Sequence, residues 1–290
     1  MDHILFSGTC TALVTPFIGN QINYPLLDRL LERQITAGIH AVVLAGTTGE
    51  SPTLSDDEKI SLFYRGKSYV KDRCMIIAGT GSNSTEHAIA LSKDAEKAGA
   101  DALLIVAPYY NKSNPEGLYL HFAAIAKSVN IPIIVYNVPS RTGVDIPVHV
   151  YSKLSRIENI AGVKEASADI TKITKIRKAC GDRFAIWSGN DDQIVPVISL
   201  GGHGVISVLS NIFPEETASM THAALDGDLD TASALQTHMS EMIDLLFSEV
   251  NPIPIKYAMK HVGFDCGPCR LPLGPLSSTN KLKIDTYFHK

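Results

Sequence analysis

In the stretch ENIAGVKEASAD, a single lysine, Lys164, closes a short run of small apolar residues, Ala161, Gly162 and Val163. An ammonium is costly to bury unless it is paired or neutralised. Three roles fit such a lysine: a cation paired with Glu165 or another acid, a point charge for an anionic substrate, or an amine nucleophile. Position alone leaves the three open; the neighbours favour the third. An imine-forming lysine must present a neutral amine, and small apolar surroundings disfavour the ammonium form. Carbinolamine formation and dehydration then need a proton shuttle, which hydroxyls supply without adding a fixed charge. Thr47, Thr48, Tyr109, Tyr110 and Tyr136 all fall at the ends of apolar runs. One tyrosine at such a place is more often a packing residue with a wet tip. Three hydroxyl sites converging on one lysine are harder to assign to packing.

Other patterns narrow the chemistry. AGTTGE offers consecutive backbone N–H groups in a glycine-bounded turn, which suits a carboxylate. The acids of GNDDQ and NIFPEE would repel a phosphate. A phosphorylated sugar and a pyridoxal phosphate enzyme are therefore disfavoured. His121, His203 and His238 are isolated, so metal-dependent aldol chemistry is disfavoured, and no metal or other cofactor is expected. CGPC at Cys266 and Cys269 has no second CxxC and no nearby histidine pair, and reads as two free thiols.

The elements that would position these groups recur along the chain. CTALVTPF, AVVLAGTTGE, CMIIAGTGSN, ALLIVAPYYN, IPIIVYNVPSRTG, NIAGVKEAS, RFAIWSGND and HGVISVLSN are continuous apolar runs, as expected for parallel strands covered on both faces. Between them lie amphipathic segments. In YPLLDRLLERQITAG, Leu26, Leu27, Leu30, Leu31 and Ile35 share one helical face ahead of Gly38. STEHAIALSKDAEKAGA opens on a cap candidate and closes at Gly99. The order predicts an α/β fold, a (β/α)8 TIM barrel with a small C-terminal helical appendix. Residues 1–223 are assigned to the barrel and 224–290 to the helical region. The unusual polar residues cluster at the C-terminal ends of the runs, which a barrel gathers at one mouth. A doubly wound open sheet would need a glycine-rich turn after its first strand, and TALVTPFIGN does not supply it.

The 290 residues carry 45% hydrophobic and 19% charged side chains, enough apolar material for a sizeable core. A net charge of -4 and the lack of a basic stripe argue against nucleic acid as a partner. No apolar run is long enough for a membrane helix, and MDHILFSGTC, with Asp2, does not read as a signal peptide. Five scattered cysteines suit a reducing, cytoplasmic location.

GTTGESPTL, AGTGSNST, APYYNK, EGLYLHF, IIVYNVPSRTG, GVKEASAD, GGHGVISV and NPIPIKYAM, in this order, together resemble the dihydrodipicolinate synthase family, also called 4-hydroxy-tetrahydrodipicolinate synthases. GxxGE and KEAS belong to the wider pyruvate-dependent lyase superfamily, while the arginine of YNVPSRTG favours the synthases over other pyruvate aldolases. The resemblance implies that Lys164 forms an imine with pyruvate and that Tyr136 relays protons there. It implies that Thr47 links Tyr136 to Tyr110 of a neighbouring subunit. Thr47 and Thr48 would hold the pyruvate carboxylate, and Arg141 the carboxylate of aspartate semialdehyde. Gly189 and the Ile206 carbonyl would line the site, in a homotetramer built as a dimer of dimers. A guanidinium pairs well with a carboxylate, which suits Arg141 to its part, although a surface salt bridge in a turn is an equal alternative from the residues alone.

The family's lysine-sensitive members bind lysine near the positions of Ser51, Pro52, Asp56, Lys59, Asn83, His87 and Tyr109. They usually carry histidine at 59 and glutamate at 87. Here Lys59 adds a cation and His87 removes an acid, so weak or absent inhibition by lysine is expected. A different pyruvate lyase on the same scaffold, and a non-catalytic barrel, are the competing readings. The first would lack Arg141, and the second would lack the lysine or the hydroxyls.

Overall fold

Eight parallel strands close into a barrel in this computed structural model, which describes residues 4–289; Asp2 lies outside them. They are β1 (Gly8–Ala12), β2 (Ala41–Leu44), β3 (Met75–Gly79), β4 (Ala102–Val106), β5 (Ile133–Asn137), β6 (Ile160–Glu165), β7 (Ala185–Ser188) and β8 (Gly204–Ser207). Each pairs with its sequence neighbour, and β1 closes the ring against both β2 and β8, with Cys10 opposite Ala41 on one side and Ile206 on the other. The expected (β/α)8 barrel is present; seven of its strands lie within the apolar runs, and β1 starts two residues ahead of its own, at Gly8. Their residues are buried on both faces, which is why the runs are apolar without alternation.

The barrel interior is a cluster of its own: Cys10, Ala12, Val43, Ile77, Leu104, Ile134, Tyr136, Trp187 and Ile206. Phe6 stacks on Trp187 at 4.7 Å, and the indole N–H donates to the Phe6 carbonyl at 3.2 Å. The other face of each strand packs against the helices, in a layer that includes Val42, Ile76, Leu103, Val135 and Val163.

Local signals place the helices. The first, α1 (Tyr24–Thr36), is capped by the Asn23 side chain, buries Leu26, Leu27, Leu30 and Leu31, and is followed by Gly38 at φ 72. A capping box of Ser55 and Glu58 starts α2 (Asp56–Val70), and Ser84 caps α3 (Thr85–Lys97). After α4 (Pro115–Ser128), α5 (Val148–Leu154), α6 (Ile170–Cys180) and α7 (Ile194–Ser199) follow the later strands. Then α8 (Pro214–Leu225) returns to β1. The C-terminal helices are α9 (Leu229–Leu246), α10 (Ile253–Ala258) and α11 (Ser278–Phe288). No described helix is long and apolar enough to cross a membrane.

Two histidines, His121 buried and His203 partly buried, are held as neutral rings. The His121 imidazole sits beside Phe122 and shares a 2.9 Å hydrogen bond between Nδ1 and Thr85 Oγ1. His203 Nδ1 accepts from the Ile186 N–H at 3.2 Å. Burial pushes both down to about 4 from the usual 6.5. The unfolded chain then holds more protons than the native one between roughly pH 4 and 6.5. This stability is complete above about pH 6.5 and is lost as pH falls through 4. Melting temperature should drop as pH is lowered from 7 to 5, with a loss on the order of 2 kcal/mol per imidazole at pH 5. His121→Gln should flatten that slope; an unchanged slope would contradict the assignment.

Candidate active site

Lys164 lies at the C-terminal end of β6, 5% exposed, with its amine 4.4 Å from the centroid of the Tyr136 ring. Tyr136 is directly opposite it in β5. Among the described residues, Lys164 makes no ion pair. The pairing with Glu165 left open above does not occur, because Glu165 points to the other side of the sheet. There its carboxylate accepts from Asn137, from the Tyr151 hydroxyl and from the Ser167 N–H.

Around the lysine is a cavity of about 130 Å³ whose wall includes Thr47, Thr48, Tyr136, Arg141, Gly189 and Asn251. Gly189 must be glycine. A Cβ there would stand 2.6 Å from the Ala166 Cβ and 3.1 Å from the lysine Cε, so any side chain would displace the amine. Ile206 stands in the barrel interior opposite Cys10, in one cluster with Tyr136 and Ala166. Val208, two residues on, lines the cavity.

The GTTGE turn is held from both ends. Ala45 and Glu50 have left-handed backbones, φ 52 and 61, so the chain doubles back around Thr47 and Thr48. The Thr15 hydroxyl donates to the Gly49 carbonyl at 2.7 Å. Glu50, 1% exposed, pairs with Lys256 at 2.7 Å and accepts from the Arg270 N–H at 2.8 Å. Asn251 donates to the Thr48 hydroxyl at 3.0 Å, and its own carbonyl oxygen is buried without a partner. Asn251 and Lys256 were not singled out from the sequence, although both stand in the NPIPIKYAM motif.

Arg141 is the third residue of a one-turn helix, Pro139–Thr142, between Pro139 at its first position and Gly143 at φ 70. Thr142 ties that turn together through the carbonyls of Val138 and Val144. Among the described residues the guanidinium has no hydrogen bond or ion pair, so the surface salt bridge considered above is absent. Asp191, read only as an acid unfavourable to phosphate, is buried. Its carboxylate accepts from the N–H groups of Val208 and Leu209, both at 2.9 Å, joining the loops after β7 and β8. Burial raises it above the ordinary carboxylate range.

A second cavity of about 280 Å³ adjoins the first and shares Gly46, Thr47, Leu104, Tyr136, Val138 and Arg141 with it. Ser51, Pro52, Lys59, Ser82, His87 and Tyr109 complete much of its wall. Asp56 stands behind it, one oxygen 2.8 Å from His87 Nε2 and the other 3.4 Å from Lys59. Asn83 is exposed and reaches the Tyr109 carbonyl at 3.5 Å. Tyr110 is not brought to the site within the chain: it is 91% exposed, on a backbone with φ 71. Cys266 and Cys269 are free thiols, both pushed up to about 12 by burial.

The sequence model of the dihydrodipicolinate synthetase family matches residues 5–290. The 4-hydroxy-tetrahydrodipicolinate synthase of Clostridium perfringens (strain SM101 / Type A) is 47% identical over 281 residues, covering 97% of each chain. The solved chloride-inhibited dihydrodipicolinate synthase from Acinetobacter baumannii, complexed with pyruvate, superposes with a TM-score of 0.96 at 38% identity over 98% of both chains. The enzyme from Cyanidioschyzon merolae with lysine bound gives 0.95 at 38% identity, covering 98% of this chain and 97% of that one.

Removing one partner of a buried ion pair strands the other charge. Lys256→Met should therefore cost about 3–5 kcal/mol in denaturant melts. Restoring neutrality with Glu50→Gln in the same chain should recover part of that loss. Equal stability of Lys256→Met and wild type would show that the pair does not brace the turn.

Proposed function

The chain belongs to the dihydrodipicolinate synthetase family, and from that premise we propose which of its residues carry the reaction. The chemistry is that of a lyase of class I aldolase type, the condensation of pyruvate with L-aspartate 4-semialdehyde in lysine and diaminopimelate biosynthesis. Lys164 is the nucleophile. The observation that carries this is a buried amine at a strand end, free of any carboxylate partner among the described residues and 4.4 Å from the Tyr136 ring centroid.

The Lys164 nitrogen attacks C2 of pyruvate, and the carbinolamine loses water to give the imine. Tyr136 moves protons between the nitrogen and the departing oxygen. Loss of a methyl proton converts the imine to an enamine, whose carbon attacks the aldehyde of the second substrate and leaves a hydroxyl. That substrate's own amine then adds to the imine carbon, the ring closes and Lys164 departs as the free amine. Thr47 and Thr48, in the turn braced by Glu50, hold the pyruvate carboxylate. Arg141, whose guanidinium has no other partner among the described residues, pairs with the carboxylate of aspartate semialdehyde. Gly189 leaves room for the lysine stem. The proposal includes a cytoplasmic homotetramer, a dimer of dimers, in which Tyr110 from a neighbouring subunit completes the relay through Thr47. The exposed ring and left-handed backbone of Tyr110 support it.

Borohydride reduction in the presence of pyruvate should add a stable mass to the peptide containing Lys164. Lys164→Arg should abolish both the adduct and turnover, because a guanidinium cannot serve as a neutral amine. Arg141→Ala should trap pyruvate normally while losing roughly 10- to 150-fold in use of aspartate semialdehyde. An adduct on another lysine would overturn the first assignment. Trapping that falls with turnover in Arg141→Ala would overturn the second.

Weak or absent inhibition by lysine belongs to the same proposal. Lys59 and His87 line the larger cavity, and Asp56 is already engaged by both, so a cationic ligand would meet repulsion and no free acid there. The penalty amounts to roughly a hundredfold or more in affinity. In initial-rate titrations at saturating pyruvate, lysine should have little effect up to millimolar concentration. Half-inhibition at sub-millimolar lysine would contradict it.

A further inference from the structure

We infer that Asn137 and Glu165 are positioning residues for the imine-forming lysine, because their contact across β5 and β6 holds the register that sets Lys164 over Tyr136. The inference rests on the role proposed for Lys164. Its starting point is an irregularity in the pairing of these strands. Ile133 lies opposite Ile160, but Ile134 lies opposite Gly162, so Ala161 is one residue too many in β6. The side chains record the same step. Ile160 and Val163 both belong to the layer under the helices, which a regularly alternating strand would not allow. Past the extra residue, Gly162 and Lys164 face the barrel interior. Without it, Lys164 would point outward at the helices.

A bulge delivers the lysine to the correct side only if the register beyond it does not slip. The apolar residues there are weak guards, since Val163 would be tolerated on either face. The guards are Gly162 and the polar pair. A Cβ on Gly162 would stand 2.1 Å from the Ala185 carbonyl oxygen, so no other residue fits at that point. Asn137 and Glu165 are opposite each other in the register, one residue beyond Tyr136 and Lys164, and are 0% and 4% exposed. Asn137 Nδ2 donates to Glu165 Oε1 at 2.9 Å and to Asp145 at 2.8 Å. Asn137 Oδ1 accepts from the Ile146 N–H at 3.0 Å.

The other Glu165 bonds come from Ser167 N–H at 2.8 Å and Tyr151 OH at 3.2 Å, with the Lys172 ammonium 3.6 Å away. Lys172 is itself paired with Asp145. Any one-residue slip would pull the carboxylate away from Asn137, Tyr151 and Lys172 and leave it buried with only the local Ser167 N–H, which is strongly disfavoured. The network makes no contact with substrate. Its effect on the reaction passes through the placement of Lys164 and Tyr136.

The experiment is pyruvate-dependent borohydride trapping on the full chain, read as the maximal rate and as the pyruvate concentration giving half of it. Asn137→Ala, Glu165→Ala, Glu165→Gln and the double alanine variant are compared, with melting and circular dichroism confirming which are folded. Folded Asn137→Ala should trap about ten- to a hundredfold more slowly, because small misplacements of reacting groups have effects of that size. The half-saturating pyruvate should change by less than about threefold, since the Thr47–Thr48 turn is untouched. Glu165→Gln keeps an acceptor for Asn137 and Ser167 and should return to within about threefold of wild type. The double alanine variant should be no slower than the slower single one.

A purely stabilising role would lower melting temperature and leave the trapping rate of folded protein at the wild-type value; that result would overturn the inference. So would Glu165→Gln trapping as slowly as Asn137→Ala. If Glu165→Ala does not fold, Asn137→Ala and Glu165→Gln decide the matter. Failure of the wild type to trap at Lys164 would instead remove the function proposed above.

Discussion

One extra residue in one strand decides which side of the barrel wall carries the reactive amine. Strand side chains alternate, so the face reached by residue 164 depends on every residue counted from the start of β6. The bulge at Ala161 shifts that count by one. It turns a lysine that would sit among helix-facing residues into one standing above Tyr136 in the interior. The rest of the site presupposes this. Gly189 is shaped around the lysine stem, and the glycine at 162 is bare because the backbone of β7 comes against it. The acid beside the lysine is turned outward into a network of its own.

The second organising feature is the dependence of the site on distant chain. The GTTGE turn follows β2, yet its anchors are Asn251, Lys256 and Arg270. Those anchors also rest on a small antiparallel hairpin after β1, Phe17–Ile18 paired with Gln21–Ile22: Lys256 lies 4.3 Å from the Phe17 ring centroid, and Phe17 N–H donates to the Cys266 carbonyl. The C-terminal helices are therefore part of the wall of the site. The CGPC segment has a structural use as well, since the Pro268 carbonyl accepts from Lys256 and Arg270 follows directly after it.

Much of this was legible in the sequence. The eight apolar runs carried the strands, because parallel strands covered on both faces have little choice of composition. The lysine stood out because its type contradicts its setting, and the tyrosines and threonines because they gather at strand ends. The bulge was not legible. Ile160 and Val163 are both apolar, so the break in alternation leaves no mark in a run already apolar throughout. The Glu50–Lys256 pair was hidden by a separation of 206 residues, which neither periodicity nor a local motif bridges. Val208, at the cavity just past β8, carried no signal of its own, because its apolar side chain reads as one more residue of the strand.

The two cavities have a wall in common. Six residues, Tyr136, Thr47 and Arg141 among them, line both. A party wall has no private side. Whatever shifts those side chains from the larger chamber changes the free energy of occupying the smaller one, and by thermodynamic reciprocity the smaller returns the same amount.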